Sequence, residues 1–506
     1  MMNIKNKKFF IATILCVSLI LSVYAEDKPE LLQKETAAFA QRIDTIPDGG
    51  VTGEGLAWHL SYSLHPILRN CESGADEWMA PTERVLNMLA NKMATGPDGY
   101  KGFIGPYMYN NNEHWCDVHV SDAILIEHML NFAGIVHRNP ALKEKYGKSA
   151  QRFLEIAKRD LIEKWEKRGT FVVDGPFAAY KEWNMYCKPG NMGVWYKNDQ
   201  ARGDNSPVPS LPFNKSMDIA HCMLMIYAIT GENVYKENAE KVFNRVKAGM
   251  NKFKGAYTWN YWEPVWPGDI YVNKRNEQAL THWVGTHPYR DYQEGEVSKI
   301  VHAYHWGVTF TEADIKRLIN TNLLFMWNGD QKEPTWVNSD SRLPGYKKAS
   351  PSEAYPTWAG TLWTSLSAFD LTICHLNGLK RNVAASCRVD FTRKYAPGTL
   401  VEEPVWMEGI KESAGQTEAV VIPSVVPAGK NTMILSKASA PMSQVEICVR
   451  PLKGGETVTI VTQQMGEGRQ LFYSWDGIIN GKRTPGEYVI IWKYMGGERA
   501  YPVTLK

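Results

Sequence analysis

Apolar residues recur three and four positions apart along most of the chain before residue 404, the spacing of one buried helical face. Ala123, Ile126, Leu130 and Ala133 make such a stripe, which predicts a helix over 117–136. Met217, Ala220, Leu224 and Ala228 predict another over 215–229. A third is expected over 312–326, where Thr311 is the N-cap and Ile315, Leu318, Ile319, Leu323 and Met326 are the buried set. Further helices are expected over 54–68, 81–93 (with Pro81 in the first turn), 142–165, 234–253, 296–306 and 358–376. From residue 404 the period shortens to two. Runs at 419–425, 432–436, 444–449, 457–461, 471–475 and 488–492 predict strands, with turns at Gly454-Gly455, Gly466 to Gly468 and Asn480-Gly481.

The connections alternate in length. Short turns such as Thr230-Gly231-Glu232 join helices within a pair, whereas roughly 20, 45, 40 and 30 residues precede the helices near Asp117, Lys215, Glu296 and Trp358. This pattern predicts a mainly α fold. The expected architecture is an (α/α) toroid, an incomplete barrel of helix pairs, over 26–403, with its long connections gathered on one face. Residues 404–506 are expected to form an accessory immunoglobulin-like β-sandwich.

Residues 1–25 have the pattern of an export signal: Lys5, Lys7 and Lys8, an apolar run over 9–21, then Val23-Tyr24-Ala25 before Glu26. The run is short for a membrane span, and Cys16 lacks the small neighbours of a lipoprotein signal. The expected product is periplasmic or secreted. The cysteines beyond residue 25 are sparse and contain no CxxC pair, so buried thiols are expected for most and neither a metal nor another cofactor is called for. A formal charge of +3 excludes nothing, although a mild basic excess suits an acidic substrate; no basic tract or nucleic-acid motif appears, so nucleic acid is not an expected partner.

The 18 Trp and 24 Tyr cluster in the long connections, most densely at 257–266. Flat amphipathic rings among Asn and Glu suit sugars, although they could also cap a helical core. Trp259, Trp262, Glu263 and Trp266 are therefore substrate-binding candidates, together with Asn111, Asn112, His114 and Trp115 ahead of the helix near Asp117. Asn214, Asp218 and His221 share one helical face, where His221 is either functional or a core histidine. The segment from His282 to Glu294 adds His287, Tyr289, Arg290 and Tyr292 as catalytic candidates, while Tyr304 lies on an apolar stripe and reads as core.

This residue set suits β-elimination from a uronic acid. The C5 proton is removable only when the adjacent carboxylate is neutralised by Asn, His or Arg; Tyr or His then takes the proton and Tyr returns one to the leaving oxygen. Asn111-Asn112-Glu113-His114-Trp115 resembles the Asn-Asn-His-x-Tyr-Trp motif of family 5 alginate lyases, with one residue inserted before the His and no matching Tyr. The segment 289–330, with Ala303-Tyr304, Gly307, Phe310-Thr311 and Met326-Trp327-Asn328-Gly329, resembles helical lyases of the family 38 kind. The resemblance implies a toroidal polysaccharide lyase acting on alginate- or glucuronan-like chains, with Asn and His neutralisers and a Tyr base and acid. Two alternatives remain open. One is a glycoside hydrolase using two of Glu263, Asp269, Glu294 and Glu296; the other is a non-catalytic surface protein that binds glycans through its Trp-rich face.

Overall fold

The computed structural model describes residues 29–107, 113–197, 207–253, 255–282, 284, 287, 289, 291–339, 360–381, 387, 389, 391, 395, 397, 418–437, 442–465, 470–494 and 497–506. The expected signal segment, Asn111, Asn112 and Arg290 lie outside these residues. The longer α-helices among the described residues are α1 (Pro29–Asp44), α2 (Gly53–Cys71), α3 (Asp76–Lys92), α4 (His119–Arg138), α5 (Pro140–Ile156), α6 (Phe213–Thr230), α7 (Asn233–Gly249), α8 (Tyr292–His305), α9 (Glu312–Asn320) and α10 (Leu371–Arg381), and one short turn of α-helix spans Lys164–Lys167. Helices α4 and α6 are apolar on nearly every side and are buried along most of their length. Helices α3, α5 and α7 keep one polar face and cover them from outside.

The turns inside each pair have clear local causes. Asn139 Oδ1 accepts from Ala141 N at 3.0 Å and Pro140 opens α5, so α4 reverses into it within one residue. Gly231, at φ 74°, ends α6 in the left-handed conformation and lets α7 start at Asn233. Thr311 and Asp314 form a reciprocal capping box at the start of α9. Pro81 falls inside α3 rather than in its first turn, because the helix begins earlier, at Asp76.

The toroid expectation is not met. The described residues are 46% helix and 25% strand, the strands distributed over many small sheets. Much of what the sequence suggested to be loop is β-hairpin: 171–174 pairs with 177–180, 185–188 with 191–197, 251–253 with 256–258 and 270–272 with 278–280. Helix α2 packs on α4, α4 on α6 and α6 on α8, with no comparable backbone interface from α8 back to α2 among the described residues. The helices therefore form a row. The expected helix over 358–376 also divides, into a 3-10 turn (Thr364–Ala368) and α10.

The N-terminal ends of α2, α4, α6 and α8 nevertheless meet. Lys215 Nζ of α6 lies 3.5 Å from Glu54 Oε1 of α2, and the rings of Trp58 (α2) and Tyr292 (α8) stack at 6.1 Å. Residues Val118 to Val120, where α4 begins, line one cleft with Lys215. That entrance to α4 is fixed by a fully buried ionic cluster. Lys164, placed just after a π-helical stretch that extends α5 (Ala157–Glu163), donates to Asp117 Oδ2 (2.9 Å), Asp122 Oδ2 (2.6 Å) and Lys101 O (2.8 Å). Arg168 adds bonds to Asp117 and Asp98.

The C-terminal region is a sandwich of a three-stranded sheet (418–422, 432–437, 470–475) and a five-stranded sheet (425–426, 442–451, 458–465, 486–494, 497–505). Ile434, Leu471 and Trp475 from the first meet Ile447, Ile490 and Trp492 from the second in the core between them. Its last strand, 497–505, escaped the sequence reading. The sandwich docks on the helical part through Ile422, Met433, Ile270 and Leu280, and Gln278 Nε2 donates to Ser474 O at 3.1 Å. Of the cysteines, Cys374 and Cys387 form a disulfide that ties α10 to the chain after it, while Cys71, Cys116, Cys187, Cys222 and Cys448 are buried thiols.

Candidate functional site

Seven residues of helix are nearly two full turns, about 10.5 Å of rise, and return to the same face. This interval repeats on all four helices of the row: Trp58 and His65 on α2, Val120 and Glu127 on α4, Asn214 and His221 on α6, Tyr292 and Lys299 on α8. The first of each pair belongs to the mouth, where the N-terminal ends meet. The second belongs to a deeper layer of titratable groups. His65 is exposed, and Glu127, His221 and Lys299 keep partial access, although their neighbours Leu64, Ile126, Ala220 and Ile300 have none. These four polar side chains keep some exposure halfway along helices whose other positions are mostly buried.

Contacts within this layer are close. His221 Nδ1 lies 3.6 Å from Glu127 Oε1, and the His221 ring meets that of His302 edge-on at 4.5 Å. Lys299 Nζ pairs with Asp218 Oδ1 at 2.7 Å, and His65 meets His128 edge-on at 4.6 Å. Burial pushes the Glu127 carboxyl up, but His221 and Lys299 outweigh it and hold the group well below the usual carboxylate range. Burial also works against the Lys299 ammonium, yet Asp218 and Glu127 prevail and raise it. Desolvation lowers His65 and His302, and lowers His128 to about 3, so all three imidazoles are neutral near pH 7.

At the mouth, Tyr292 is the first residue of α8 and is half-buried between Trp58 and Tyr261, whose ring lies 5.7 Å away. Tyr289, 41% exposed, leans on Tyr292 at 5.0 Å. Asn214, in the first turn of α6, is buried with Oδ1 lacking a hydrogen-bond partner. Next to it is a small cleft of about 20 Å3, lined by Tyr107, Glu182, Trp183, Tyr186 and Lys215 together with residues 116–120. His114 Nδ1 is 2.6 Å from the Tyr196 hydroxyl, and Trp115 is half-buried in a short strand paired with Cys187.

Tyr292 and Asn214 thus lie in the first turns of α8 and α6, Tyr289 leans on Tyr292, and His221 lies two turns deeper on α6. His287 stands apart from them. It is fully buried, with Nε2 3.2 Å from Glu296 Oε2, an oxygen that also accepts from the Trp259 indole. The Trp-rich segment departs furthest from expectation. Trp259, Trp262 and Glu263 have no exposure and Trp266 has 6%. Trp262 Nε1 donates to Ser210 O at 2.9 Å, Glu263 accepts from Arg245 at 3.2 Å, and Trp266 packs on Ala179 and Val265. Their indoles and carboxylate find partners inside the protein, so they build the floor under the mouth and offer no ring face to a sugar.

The sequence reading missed Glu127, Lys299, His302, His65, Trp58 and Tyr261. The seven-residue echo between mouth and deeper layer is the signal that could have found the first four-helix set. Among the described residues no cluster of His, Cys, Asp or Glu could hold a metal ion, and no helix is long and apolar enough to cross a membrane. No protein family, curated protein or solved structure matches the chain.

Proposed function

We propose that this protein is a polysaccharide lyase that cleaves a uronic-acid-containing chain, alginate- or glucuronan-like, by β-elimination. The observation that carries the reading is the clustering of His221 and the charged Lys299 two helical turns below Tyr292 and Asn214 on neighbouring helices. A uronate carboxylate entering there meets a cation and imidazole donors, which stabilise the aci-carboxylate formed as the C5 proton leaves. In this reading His221 or a tyrosine takes that proton, and Tyr292 returns one to the leaving oxygen. The converging N-terminal ends of four helices add positive potential to the same mouth. Export through the N-terminal segment fits a polymeric substrate.

The hydrolase alternative loses its named carboxylates. Asp269 accepts from Ser210 and Val265 N–H groups, Glu294 accepts from Thr364, Glu263 faces Arg245, and Glu296 is shared by Trp259 and His287. Each is occupied in holding the fold. The surface-binding alternative loses its platform with the burial of Trp259, Trp262 and Trp266. Incubation with alginate, glucuronan and glycosaminoglycans tests the proposal directly. Ultraviolet absorbance of an unsaturated uronate product is expected with one of them. New reducing ends without that absorbance, or no cleavage of any, would overturn it.

A further inference from the structure

The Glu127–His221 contact carries an inference that rests on the lyase reading and goes deeper into it. An imidazole has two nitrogens, and the partner of one fixes the role of the other. Here Nδ1 faces the Glu127 carboxylate at 3.6 Å. On the other side stands His302, whose Nε2 accepts from the Trp306 indole at 3.3 Å, so its own proton sits on Nδ1. That neutral ring meets His221 at 81° and blocks it from turning. We propose that Glu127 is the positioning residue of a carboxylate–imidazole couple that keeps the His221 proton on Nδ1 and leaves Nε2 as the base for the C5 proton.

The step balances without any other reactant. The C5–H pair becomes the new C4–C5 double bond, the C4–O pair leaves on the departing sugar oxygen, which takes a proton from Tyr292, and the C5 proton moves to His221 Nε2. The imidazolium formed is stabilised by Glu127, while Lys299, held by Asp218 at 2.7 Å, is the cation available to the substrate carboxylate. The charged and titratable groups around His221 are Glu127 and His128 from α4, His65 from α2, Asp218 from its own helix, and Lys299 and His302 from α8. Glu127 is the carboxylate in direct reach of Nδ1. The contact lies just beyond hydrogen-bond length, as couples of this kind do before substrate tightens them.

Nitrogen-15 NMR of histidine-labelled protein tests this, with His221→Ala giving the assignment. Neutral His221 is expected with its proton on Nδ1 in the wild type and to lose that preference in Glu127→Gln. An Nε2–H tautomer in the wild type, or an unchanged tautomer in folded Glu127→Gln, overturns the proposal. With a cleaved substrate, Glu127→Gln should lower kcat on the order of 100-fold or more. It should also move the acid limb of the pH profile to lower pH and leave KM nearly unchanged, whereas an unshifted limb counts against the couple. Glu127→Asp keeps the charge at a longer reach and is expected to retain the tautomer and part of kcat. Should Glu127→Gln fail to fold, a Glu127→Asp protein equal to wild type in limb and turnover overturns the proposal. The tautomer requires no turnover, so failure to cleave any uronate polymer would sink the lyase reading and leave this one to be decided separately.

Discussion

Replacing Lys164 by Met tests how the entrance to α4 is held. Asp98, Asp117 and Asp122 face Lys164 and Arg168, three carboxylates against two cations. The surplus negative charge is relieved by a proton on Asp122, which burial and the neighbouring Asp117 push up to about 8. Burial also disfavours the charge on Asp117, but Lys164 and Arg168 hold that group below the usual range. Removing Lys164 deletes its bonds to both aspartates and to Lys101 O, leaving Asp122 with only the Phe103 N–H donor at 3.1 Å. Breaking a buried pair from one side costs about 3–5 kcal/mol, and because Asp122 already carries a proton near neutrality the lower end is expected, about 3 kcal/mol. Urea unfolding followed by tryptophan fluorescence at pH 5, 7 and 8 reads it. Losing the cation raises the folded-state carboxyls further, so above neutrality the folded variant holds more protons than the folded wild type and the loss in Lys164→Met grows as pH rises. Asp122→Asn mimics the protonated acid and should cost less than about 1 kcal/mol at pH 7. An Asp122→Asn variant as damaged as Lys164→Met, or a loss that shrinks with rising pH, would refute the charge count.

Three further outcomes follow from single contacts. Gly102→Ala places a Cβ 2.4 Å from Asp117 Oδ1, a carboxylate that Lys164 and Arg168 hold in place, so roughly 1–3 kcal/mol of stability should be lost; unchanged thermal unfolding would mean that the carboxylate is free to move. Trp259→Phe removes a donor from buried Glu296 and should cost about 1–3 kcal/mol of stability without altering oligosaccharide affinity; a selective loss of affinity would restore Trp259 as a binding platform. Tyr292→Phe removes only a hydroxyl from a ring stacked between Trp58 and Tyr261, so turnover on the cleaved uronate polymer should collapse while the circular dichroism stays native; near-normal turnover would take Tyr292 out of the mechanism.

The helices were legible because their causes are local. The Ala123–Ala133 stripe, the Asn139-Pro140 reversal and the Thr311 cap each declare themselves within a few residues, and all three appear in α4, α5 and α9. The hairpins were not recognised, although Asp174-Gly175-Pro176 and Pro189-Gly190-Asn191 are turn sequences with Gly175 at φ 57° and Gly190 at φ 79°. Their strands are too short to show a period, and register comes from packing on α7 and on strand 115–116. Asn214, His221 and Tyr292 could be named because each sits at or near a helix start or on a helical face that the sequence spacing shows. Glu127 and Lys299 could not, since a carboxylate or ammonium beside an apolar stripe looks the same in sequence whether it faces bulk water or other titratable groups. Trp259 and Trp262 misled for the opposite reason: an indole that suits a sugar suits a buried carboxylate or carbonyl equally well.

The two-layer arrangement separates what can change from what cannot. His65, Glu127, His221 and Lys299 ride on long helices whose spacing is set by the whole core, whereas the cleft beside the mouth is framed by the short strands at 115–116 and 185–188. A lineage could exchange those strands and their connecting loops one at a time, altering what the cleft admits, while the titratable groups stay in register below. Diversification of such a protein would then be written in its rim, and its helices would be the inherited part.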